Sequence, residues 1–432
     1  MMRSLFGDTA PQLSCGSTTS CSEPGQTLKH SAHTGSIMSF PRFLLGSAAV
    51  ALLCARAPAQ PLSSECEVYP GVSHRYIFDP AGPWKINILT MVPSRADLVI
   101  TTARALDSYF GRERTSSMAR RSSDSLSTVI AALNADFFEK TGENYNNQII
   151  SGEVVKGRPP VDCSGTKLRK NRSQFAITES GQPLIERFAF DGHLFWGDGS
   201  VTRIGGVNTV ATEDSVALFT HRYNERIPVI GDRSRFSASI FLATRKDTLL
   251  YLVTKTGTLH DSTFVGSTGC IVVNYGAPSR DFSTSPGDTM RILFRFPPAN
   301  ERLVELVGGF PQIVRGQRNV VHEVDALEGP LPESFAFNRH PRTGVGYTVT
   351  GDTLLWITVD GRQDSSAGMT LDEFADLMII HGVFQGLNLD GGGSTTMVVN
   401  GGVVNSPSDA QGERPVANCL LLVSRRRSPQ LH

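Results

Sequence analysis

The sequence has no excess of charge of either sign, and this limits the partners that the protein can bind. Its 432 residues contain 41 Lys and Arg against 41 Asp and Glu, so the formal net charge is +0. A nucleic-acid binder that relies on a strongly basic surface is therefore not indicated. Lysine is absent after Lys255. Any grip on phosphate or carboxylate in the C-terminal part must therefore use the planar guanidinium of arginine.

Long hydrophobic runs are missing too, apart from a short one near the N-terminus. Residues 43–55 are apolar and precede a small-residue motif that ends at Ala59. A membrane-spanning helix requires ~18 or more such residues. We therefore interpret residues 38–59 as a secretory signal peptide, and a membrane anchor or a buried helix is the alternative. Residues 1–37 are polar and read as a disordered, non-native extension. We expect a secreted or periplasmic protein.

Closely spaced cysteine pairs are absent after the predicted cleavage site, which excludes a zinc site of the C-x-x-C kind there. Four cysteines follow the predicted cleavage site, and they are far apart in sequence: Cys66, Cys163, Cys270 and Cys419. An oxidising compartment permits disulfides between them, whereas free buried thiols are an equal alternative. The sequence does not select a pairing.

Clear helices are few, and the body of the chain is rich in strand patterns. Residues 237–245 and 248–256 are rich in β-branched and aromatic residues, with Lys246 and Asp247 between them as a turn, so they predict a hairpin. Further strands are predicted in VALFTHRY, MRILFRF, VELVGGF and CLLLV. A weak helical pattern over residues 124–132 could equally lead into a strand.

One helix is strongly indicated near the C-terminus. In TLDEFADLMIIHG, Thr370 and Glu373 form a capping box and Gly382 ends the helix. Strand patterns precede it at residues 353–360 and follow it at residues 386–390. Short connections between strand, helix and strand predict a βαβ unit with parallel strands. The expected fold class is α+β or mixed α/β: a strand-rich mixed sheet with a βαβ unit near the C-terminus.

Both strands of this unit end in aspartate. If the strands are neighbours, Asp360 and Asp390 lie at the same carboxyl edge of the sheet, where open α/β sheets bind ligands; either could instead cap a turn. Asn400 and Gly401 predict a hairpin turn further on. After Asp390, backbone N–H groups and hydroxyls would suit a polyhydroxylated or phosphorylated substrate. They belong to Gly391, Gly392, Gly393, Ser394, Thr395 and Thr396. The segment lacks the lysine of a Walker loop and the second glycine of a nucleophile elbow.

Together these motifs resemble the phosphodiester glycosidase family. The resemblance rests on RTGVG, VDGRQ, GMTLDEFADLM, LNLDGGGSTTM, VNGGVVN and GERPVANCLLLV, and upstream on LNADFFEKTGENYNNQIISGEVV and VGGFPQIVRGQ. It covers about residues 80–425 of a single catalytic domain expected at residues 60–432. The sequence departs from the family at Ala135 and Asp136, where glycines are common, and at His381.

The resemblance implies hydrolysis of a sugar-1-phosphodiester, similar to an N-acetylglucosamine-1-phosphodiester, at the anomeric carbon. This chemistry requires an anion clamp for the phosphodiester and a carboxylate at the oxocarbenium-like centre. Asp390 is the first choice for that carboxylate, as nucleophile or as base for water. Glu413 or Asp360 would be the second member of a pair.

The arginine side chains would clamp the phosphate, because a guanidinium matches its geometry. Arg342 and Arg414 are assigned to the clamp, with Arg362 as a third candidate, although each could instead be a solvated or salt-bridged surface residue. The predicted sugar pocket is lined by Asn134, Asp136 and Phe138, while Phe137 is more typical of the core. Asn388 shares a strand face with Asp390 and would hold the carboxylate or the sugar. His340 could protonate the leaving phosphate or be an ordinary loop residue.

No cofactor is required by these motifs, and a divalent cation between Asp360 and Asp390 stays open. The expected partner is a sugar-phosphate small molecule or a surface glycopolymer, with no nucleic acid and no stable membrane span after signal cleavage. The alternative function is a non-catalytic protein on the same fold that binds carbohydrate or cell-wall glycopolymer.

Overall fold

The computed structural model describes most of the chain that follows the predicted signal peptide. The described ranges are 60–92, 97–158, 161–162, 169–209, 215–230, 234–245, 247–260, 263–266, 269–276 and 284–425. The predicted signal peptide, the upstream extension, Cys163 and Lys246 lie outside them.

Strands form most of the regular structure and are numbered in chain order. The first group is β1 (Leu62–Tyr69), β2 (Val72–Asp79), β3 (Trp84–Met91), β4 (Leu98–Arg104), β5 (Ser127–Asn134), β6 (Gln148–Ile150), β7 (Glu153–Lys156), β8 (Val161–Asp162), β9 (Arg169–Lys170), β10 (Gln174–Thr178), β11 (Pro183–Glu186), β12 (Asp191–Phe195), β13 (Val201–Ile204) and β14 (Gly206–Val207). The second group is β15 (Val216–Thr220), β16 (Arg235–Arg245), β17 (Thr248–Thr258), β18 (Gly269–Asn274), β19 (Thr289–Arg295), β20 (Leu303–Gly308), β21 (Gln312–Arg315), β22 (Arg318–Asn319), β23 (Arg342–Tyr347), β24 (Leu354–Val359), β25 (Gln385–Asn388), β26 (Met397–Val399), β27 (Gly402–Val403) and β28 (Asn418–Arg425).

The helices are short by comparison. They are α1 (Thr115–Arg121), α2 (Val324–Leu327), α3 (Glu333–Phe337) and α4 (Leu371–Ile380), with single 3₁₀ turns at Ala105–Asp107, Val321–Glu323 and Gly392–Ser394. In the part of the chain that the structure describes, no helix is long and apolar enough to cross a membrane.

The strands assemble into large antiparallel sheets. Sheet A has the order β1-β2-β3-β24-β23-β25-β21-β22, and sheet B has the order β27-β26-β5-β28-β4. Sheet C is β11-β10-β20-β6-β7, and sheet D is β13-β12-β19-β17-β16-β18-β15-β14. Among the described pairings in these four sheets, β14 with β15 is the parallel one.

Predictions that depend on local sequence pattern are confirmed. β16 and β17 form the expected antiparallel hairpin. α4 has the capping box, since the Thr370 hydroxyl accepts from the backbone N–H of Glu373 at 3.1 Å and the Glu373 carboxylate accepts from that of Thr370 at 2.9 Å. The weak pattern over residues 124–132 is mostly strand β5, because Asp124 accepts backbone N–H groups of a turn that leads into it.

The predicted fold class, a mixed sheet with a βαβ unit, is wrong. β24 and β25 run in the same direction, but β23 lies between them and pairs antiparallel with both. The glycines of β23 weaken its strand pattern, and the helix above explains them: a Cβ at Gly344 would lie 2.6 Å from the Met378 Cε atom. Because β24 and β25 still end at the same edge, Asp360 and Asp390 both follow strands that reach this edge.

Two apolar layers position the edge of sheet A at which β24 and β25 end. Trp356 and Leu387 of sheet A pack in one cluster with Leu133 and Leu420 of sheet B. The opposite face of sheet A packs against α4, including Phe374. Full burial of such a side chain contributes about 1.5–3 kcal/mol, so sheets A and B are held firmly against each other where the chain passes between them.

Among the described cysteines, Cys66 is exposed and free, and Cys270 and Cys419 are buried and free. These three residues therefore form no disulfide with one another.

Candidate active site

The segment after β25 carries Asp390 from sheet A to sheet B. Its backbone is held from both sides. The Asp390 N–H donates to the carbonyl oxygen of Ala135 at 2.8 Å, and the Asn134 side-chain amide donates to the Asp390 carbonyl oxygen at 2.6 Å. The Gly392 N–H donates to the carbonyl oxygen of Pro341 at 2.9 Å. The position of Asp390 is therefore fixed by loops that leave β5 and precede β23.

The Asp390 side chain is only partly exposed, and its protonation is unusual for an aspartate. Burial raises its pKa from 3.8 to about 7. The Ser394 hydroxyl, the Arg414 charge and the Gly391 N–H oppose this rise, whereas the charge of Asp136 adds to it. A carboxyl group that titrates near neutral pH beside a specific charged partner is typical of a group that transfers protons.

The predicted glycine segment brings backbone and charged side chains close together. A Cβ at Gly391 would lie 2.6 Å from the carbonyl oxygen of Pro341, and a Cβ at Gly393 would overlap the Asp409 carboxylate and the Arg414 guanidinium. Glycine is therefore required by the protein's own groups at these two positions.

Arg414 lies beside this segment and is held by an acidic partner. Its Nε and Nη2 atoms donate to the two Asp409 carboxylate oxygens at 2.7 and 2.9 Å, and Nη1 lies 3.5 Å from the Ser394 hydroxyl. The Arg414 side chain is 39% exposed, so part of the guanidinium can meet a ligand. The sequence interpretation missed Asp409, because an aspartate in a polar loop carries no specific signal.

Arg362 approaches the same segment from the other side. It is exposed, has the left-handed φ of 60°, and donates from Nη2 to the His340 Nδ1 atom at 3.2 Å. A Cβ at Gly392 would lie 3.2 Å from that same Nη2 atom. A non-glycine residue in this backbone conformation is uncommon and is often found at functional sites. Burial lowers the pKa of His340, whose Nε2 atom faces the Ser334 carbonyl oxygen at 3.0 Å.

Arg342 is placed differently from the other two arginines. It is 2% exposed, and it donates to the carbonyl oxygens of Met369 at 2.8 Å, Phe335 at 2.8 Å and Asn338 at 3.2 Å. These contacts connect β23 to α3 and to the start of α4. The prediction that Arg342 clamps phosphate gains no support from this placement.

The other two predicted carboxylates hold backbone segments. Asp360 is 2% exposed and accepts from the Asn405 side-chain amide at 3.1 Å and from the Ser406 N–H at 3.0 Å, and burial raises its pKa to about 6. Glu413 accepts from the N–H and the hydroxyl of Ser116 in the first turn of α1, at 2.7 and 2.6 Å. Their roles as the second catalytic carboxylate stay predictions.

The predicted pocket residues are mostly buried. The Asn134 side-chain oxygen accepts from the Thr343 hydroxyl at 3.1 Å and the Thr396 N–H at 2.9 Å. The Asn388 amide donates to the Phe310 carbonyl oxygen at 2.7 Å. The Thr395 hydroxyl accepts from Thr343 at 3.2 Å. These side chains connect sheets A and B beneath Asp390.

The aromatic residues of the NADFF segment separate in the structure. Phe138 is partly buried against the apolar cluster that includes α1. Phe137 packs edge-on against Phe335, with 6.0 Å between the ring centroids. Contact of either ring with a sugar stays a prediction.

Metal ligands do not gather at the site. In the described part of the chain, no group of three or more His, Cys, Asp or Glu side chains is arranged to hold a metal ion. The Asp360 oxygens accept from Asn405 and Ser406 instead.

Comparison with known proteins relates part of this chain to a known family. Residues 251–423 match the sequence model of the phosphodiester glycosidase family. The match includes the segment from Asp390 to Ser394 and the Arg414–Asp409 pair. The predicted resemblance to the phosphodiester glycosidase family is confirmed over this part of the chain.

One relative of known name matches a short part of the chain. The chain is 36% identical over 112 residues to N-acetylglucosamine-1-phosphodiester alpha-N-acetylglucosaminidase of Bos taurus, which covers 24% of this chain and 21% of that protein. The chain therefore spans about a fifth of the length of this curated relative.

Two solved structures share the fold. A hypothetical protein from Synechocystis has a TM-score of 0.65 at 18% identity, and the alignment covers 86% of this chain and 65% of the other. A protein of Burkholderia pseudomallei K96243 described as exported has a TM-score of 0.58 at 21% identity, with 80% and 75% covered.

Proposed function

We propose that the protein is a secreted glycosidase that hydrolyses a sugar-1-phosphodiester at the anomeric carbon. The observation that carries the proposal is the Asp390 carboxyl, partly exposed beside Arg414 with a pKa of about 7. Both residues lie in the segment that matches the phosphodiester glycosidase family. N-acetylglucosamine is proposed as the sugar from the name of the bovine relative. Secretion is proposed from the predicted signal peptide.

Asp390 is assigned as the base for the attacking water. A carboxylate whose pKa lies near the working pH is well matched to proton transfer. In this step the ionised Asp390 accepts a proton from water, and the water oxygen forms a bond to the anomeric carbon. The bond from that carbon to the phosphate oxygen breaks, and the electron pair leaves with the phosphomonoester. Phosphate is a good leaving group, so little acid assistance is needed.

The phosphate clamp is assigned to Arg414 and Arg362 rather than to Arg342. A clamp must present N–H donors to solvent, and both residues have side chains that reach it. The ion pair with Asp409 orients the Arg414 guanidinium, so less side-chain entropy is lost when the substrate binds. The donors of Arg342 are directed at backbone carbonyls instead.

The test is turnover by residues 60–432 on a panel of sugar-1-phosphodiesters. The panel contains UDP-N-acetylglucosamine and the methyl phosphodiesters of glucose, mannose and N-acetylglucosamine, each with and without a chelator. We expect release of free sugar that falls by about 10²–10⁴-fold in Asp390→Asn. Undiminished release by that variant would remove Asp390 from the reaction. Saturable binding without release would favour the carbohydrate-binding alternative.

The stereochemistry of the first product distinguishes base from nucleophile. A base for water gives a sugar of inverted anomeric configuration, whereas a carboxylate nucleophile forms a covalent intermediate and gives retention. Proton NMR during the first minutes of turnover, before mutarotation, reads the configuration. Retention would replace the base assignment by the nucleophile.

A further inference from the structure

A second carboxylate, which the proposed reaction does not use, is buried in the segment that is hydrogen-bonded to the Asp390 backbone. Asp136 is 1% exposed. Its Oδ2 atom accepts from the Asn146 N–H at 2.9 Å and the Asn144 amide at 3.1 Å, and its Oδ1 atom accepts from the Asn146 amide at 2.8 Å. Each of these partners is a neutral donor, and none of them offers an acceptor for a proton on Asp136. The hydrogen bonds therefore favour the ionised carboxylate.

The surrounding strands fix this carboxylate in one place. The Asp136 N–H donates to the Asn418 side-chain oxygen of β28 at 2.9 Å. At Gly308, the last residue of β20, a Cβ would overlap the Asp136 Oδ2 atom. A side chain held by sheets B and C in this way has little freedom to move.

Hydrogen bonds connect the two chain segments that carry Asp136 and Asp390. Asp136 follows Ala135, whose carbonyl oxygen accepts the N–H of Asp390, and the preceding Asn134 holds the Asp390 carbonyl oxygen. The two carboxylates thus belong to segments that are hydrogen-bonded to each other at adjacent residues. The negative charge of Asp136 disfavours ionisation of Asp390, the more exposed member of the pair.

Two buried cations contact Asn144, which also donates to Asp136. The Arg104 guanidinium donates to the Asn144 side-chain oxygen, and the Lys156 ammonium donates to the Asn144 carbonyl oxygen, both at 2.5 Å. Both side chains are fully buried. The Lys156 charge opposes the effect of burial, which raises the pKa of Asp136. These cations help to keep Asp136 charged although it is out of contact with water.

We propose that Asp136 is a positioning residue for Asp390, the fixed negative member of a carboxylate pair that retains the transferred proton on its partner. This inference rests on the proposed function and deepens it, since it names the second carboxylate as Asp136 rather than Glu413 or Asp360. Asp136 is too buried to touch substrate, so it acts through Asp390 alone.

The other charged groups around Asp390 act in the opposite sense or are already paired. Arg414, from the loop before β28, favours the ionised form of Asp390, and Asp409 offsets part of that charge. Asp136 is thus the charge in this set that directly strengthens the basicity of Asp390.

Carbon-13 NMR of aspartate-labelled protein, residues 60–432, tests the pairing without any substrate. We expect the Asp136 carboxyl signal to show a step at the pH where Asp390 titrates, and this step should vanish in Asp390→Asn. An Asp136 signal with no such step would overturn the proposal. Because the titration needs no turnover, this outcome is distinct from failure of the proposed function.

A second experiment uses the variant Asp136→Asn. We expect the Asp390 titration to move to lower pH by about one unit, and the rise of kcat/KM with pH should move with it. The matched control is Glu305→Gln, because Glu305 is also buried among neutral donors from Thr101, Thr102 and Ser151. This control should leave the Asp390 midpoint unchanged. A folded Asp136→Asn protein with an unchanged midpoint would overturn the proposal, and if that variant does not fold, the labelled wild type decides.

Discussion

Replacement of Asp390 by asparagine should make the protein more stable at alkaline pH while it removes activity. The pKa of this carboxyl is 3.8 when exposed and about 7 in the folded protein. The folded state therefore binds the proton more tightly than the unfolded chain. Ionisation of Asp390 costs folding energy that is absent below pH 4, grows as pH rises, and is fully present above pH 7. Asparagine carries no such cost.

The size of this effect follows from the pKa difference of about three units. At 1.36 kcal/mol per unit, the upper limit is about 4 kcal/mol above pH 7. Asp390 is partly exposed, so screening by water reduces the expected gain to about 1–2 kcal/mol. In a domain of this size, such a gain raises Tm by roughly 1–3 °C.

Thermal unfolding at pH 8 and pH 4.5 is the assay. Asp390→Asn should unfold at higher temperature than the wild type at pH 8 and at a similar temperature at pH 4.5. Asp352→Asn is the control of opposite sign, since hydrogen bonds from threonine hydroxyls lower the pKa of the exposed Asp352. It should give no gain at pH 8. An equal change for Asp390→Asn at both pH values would refute the reasoning, because it would not depend on ionisation.

The remaining predictions concern the glycine segment and the arginines. Gly393→Ala should displace the Arg414 guanidinium and lower kcat/KM by about 10²-fold. Gly402→Ala should leave kcat/KM unchanged, because its Cβ would lie an ordinary 3.7 Å from the Val399 carbonyl oxygen. Equal rates for both variants would contradict the packing argument. Arg342→Lys should lower the free energy of unfolding by about 2–3 kcal/mol in urea titrations, because buried carbonyl oxygens lose their donors. Arg362→Lys should change that free energy by less than about 0.5 kcal/mol and should weaken phosphodiester substrates more than neutral sugar inhibitors. An equal loss for both ligands would remove Arg362 from the clamp.

Features set by nearby residues could be predicted from the sequence. The capping box of α4, the β16–β17 hairpin and the turn at Asn400 and Gly401 depend on periodicity and on a few residues with special backbone preferences. The position of Asp390 at the end of a strand and beside a glycine segment follows from the same local signals.

The order of strands in space could not be predicted in this way. Nothing in the pattern from residue 353 to residue 390 shows that β23, which precedes it in the chain, is inserted between the two strands. The helix that covers Gly344 also requires a residue with weak strand propensity there.

The roles of the charged residues could not be predicted from the sequence either. Arg342 and Arg414 both lie in short motifs with glycine or proline, yet one is buried against backbone carbonyls and the other is half-exposed beside Asp409. Burial depends on segments that are distant in sequence, such as α3. The surroundings of Asp136 could not be predicted either. Asn144 and Asn146 donate hydrogen bonds to its carboxylate only because the chain turns back after Asp136.

The place of β28 in sheet B determines when this sheet can assemble during folding. This strand, Asn418–Arg425, lies between β4 and β5 and pairs with both. β4 and β5 cannot be joined in one sheet before β28 has been synthesised, and contacts between segments so distant in sequence form slowly. The loop with Arg414 leads directly into this strand, so the proposed anion clamp would be assembled only when β28 has paired with β4 and β5.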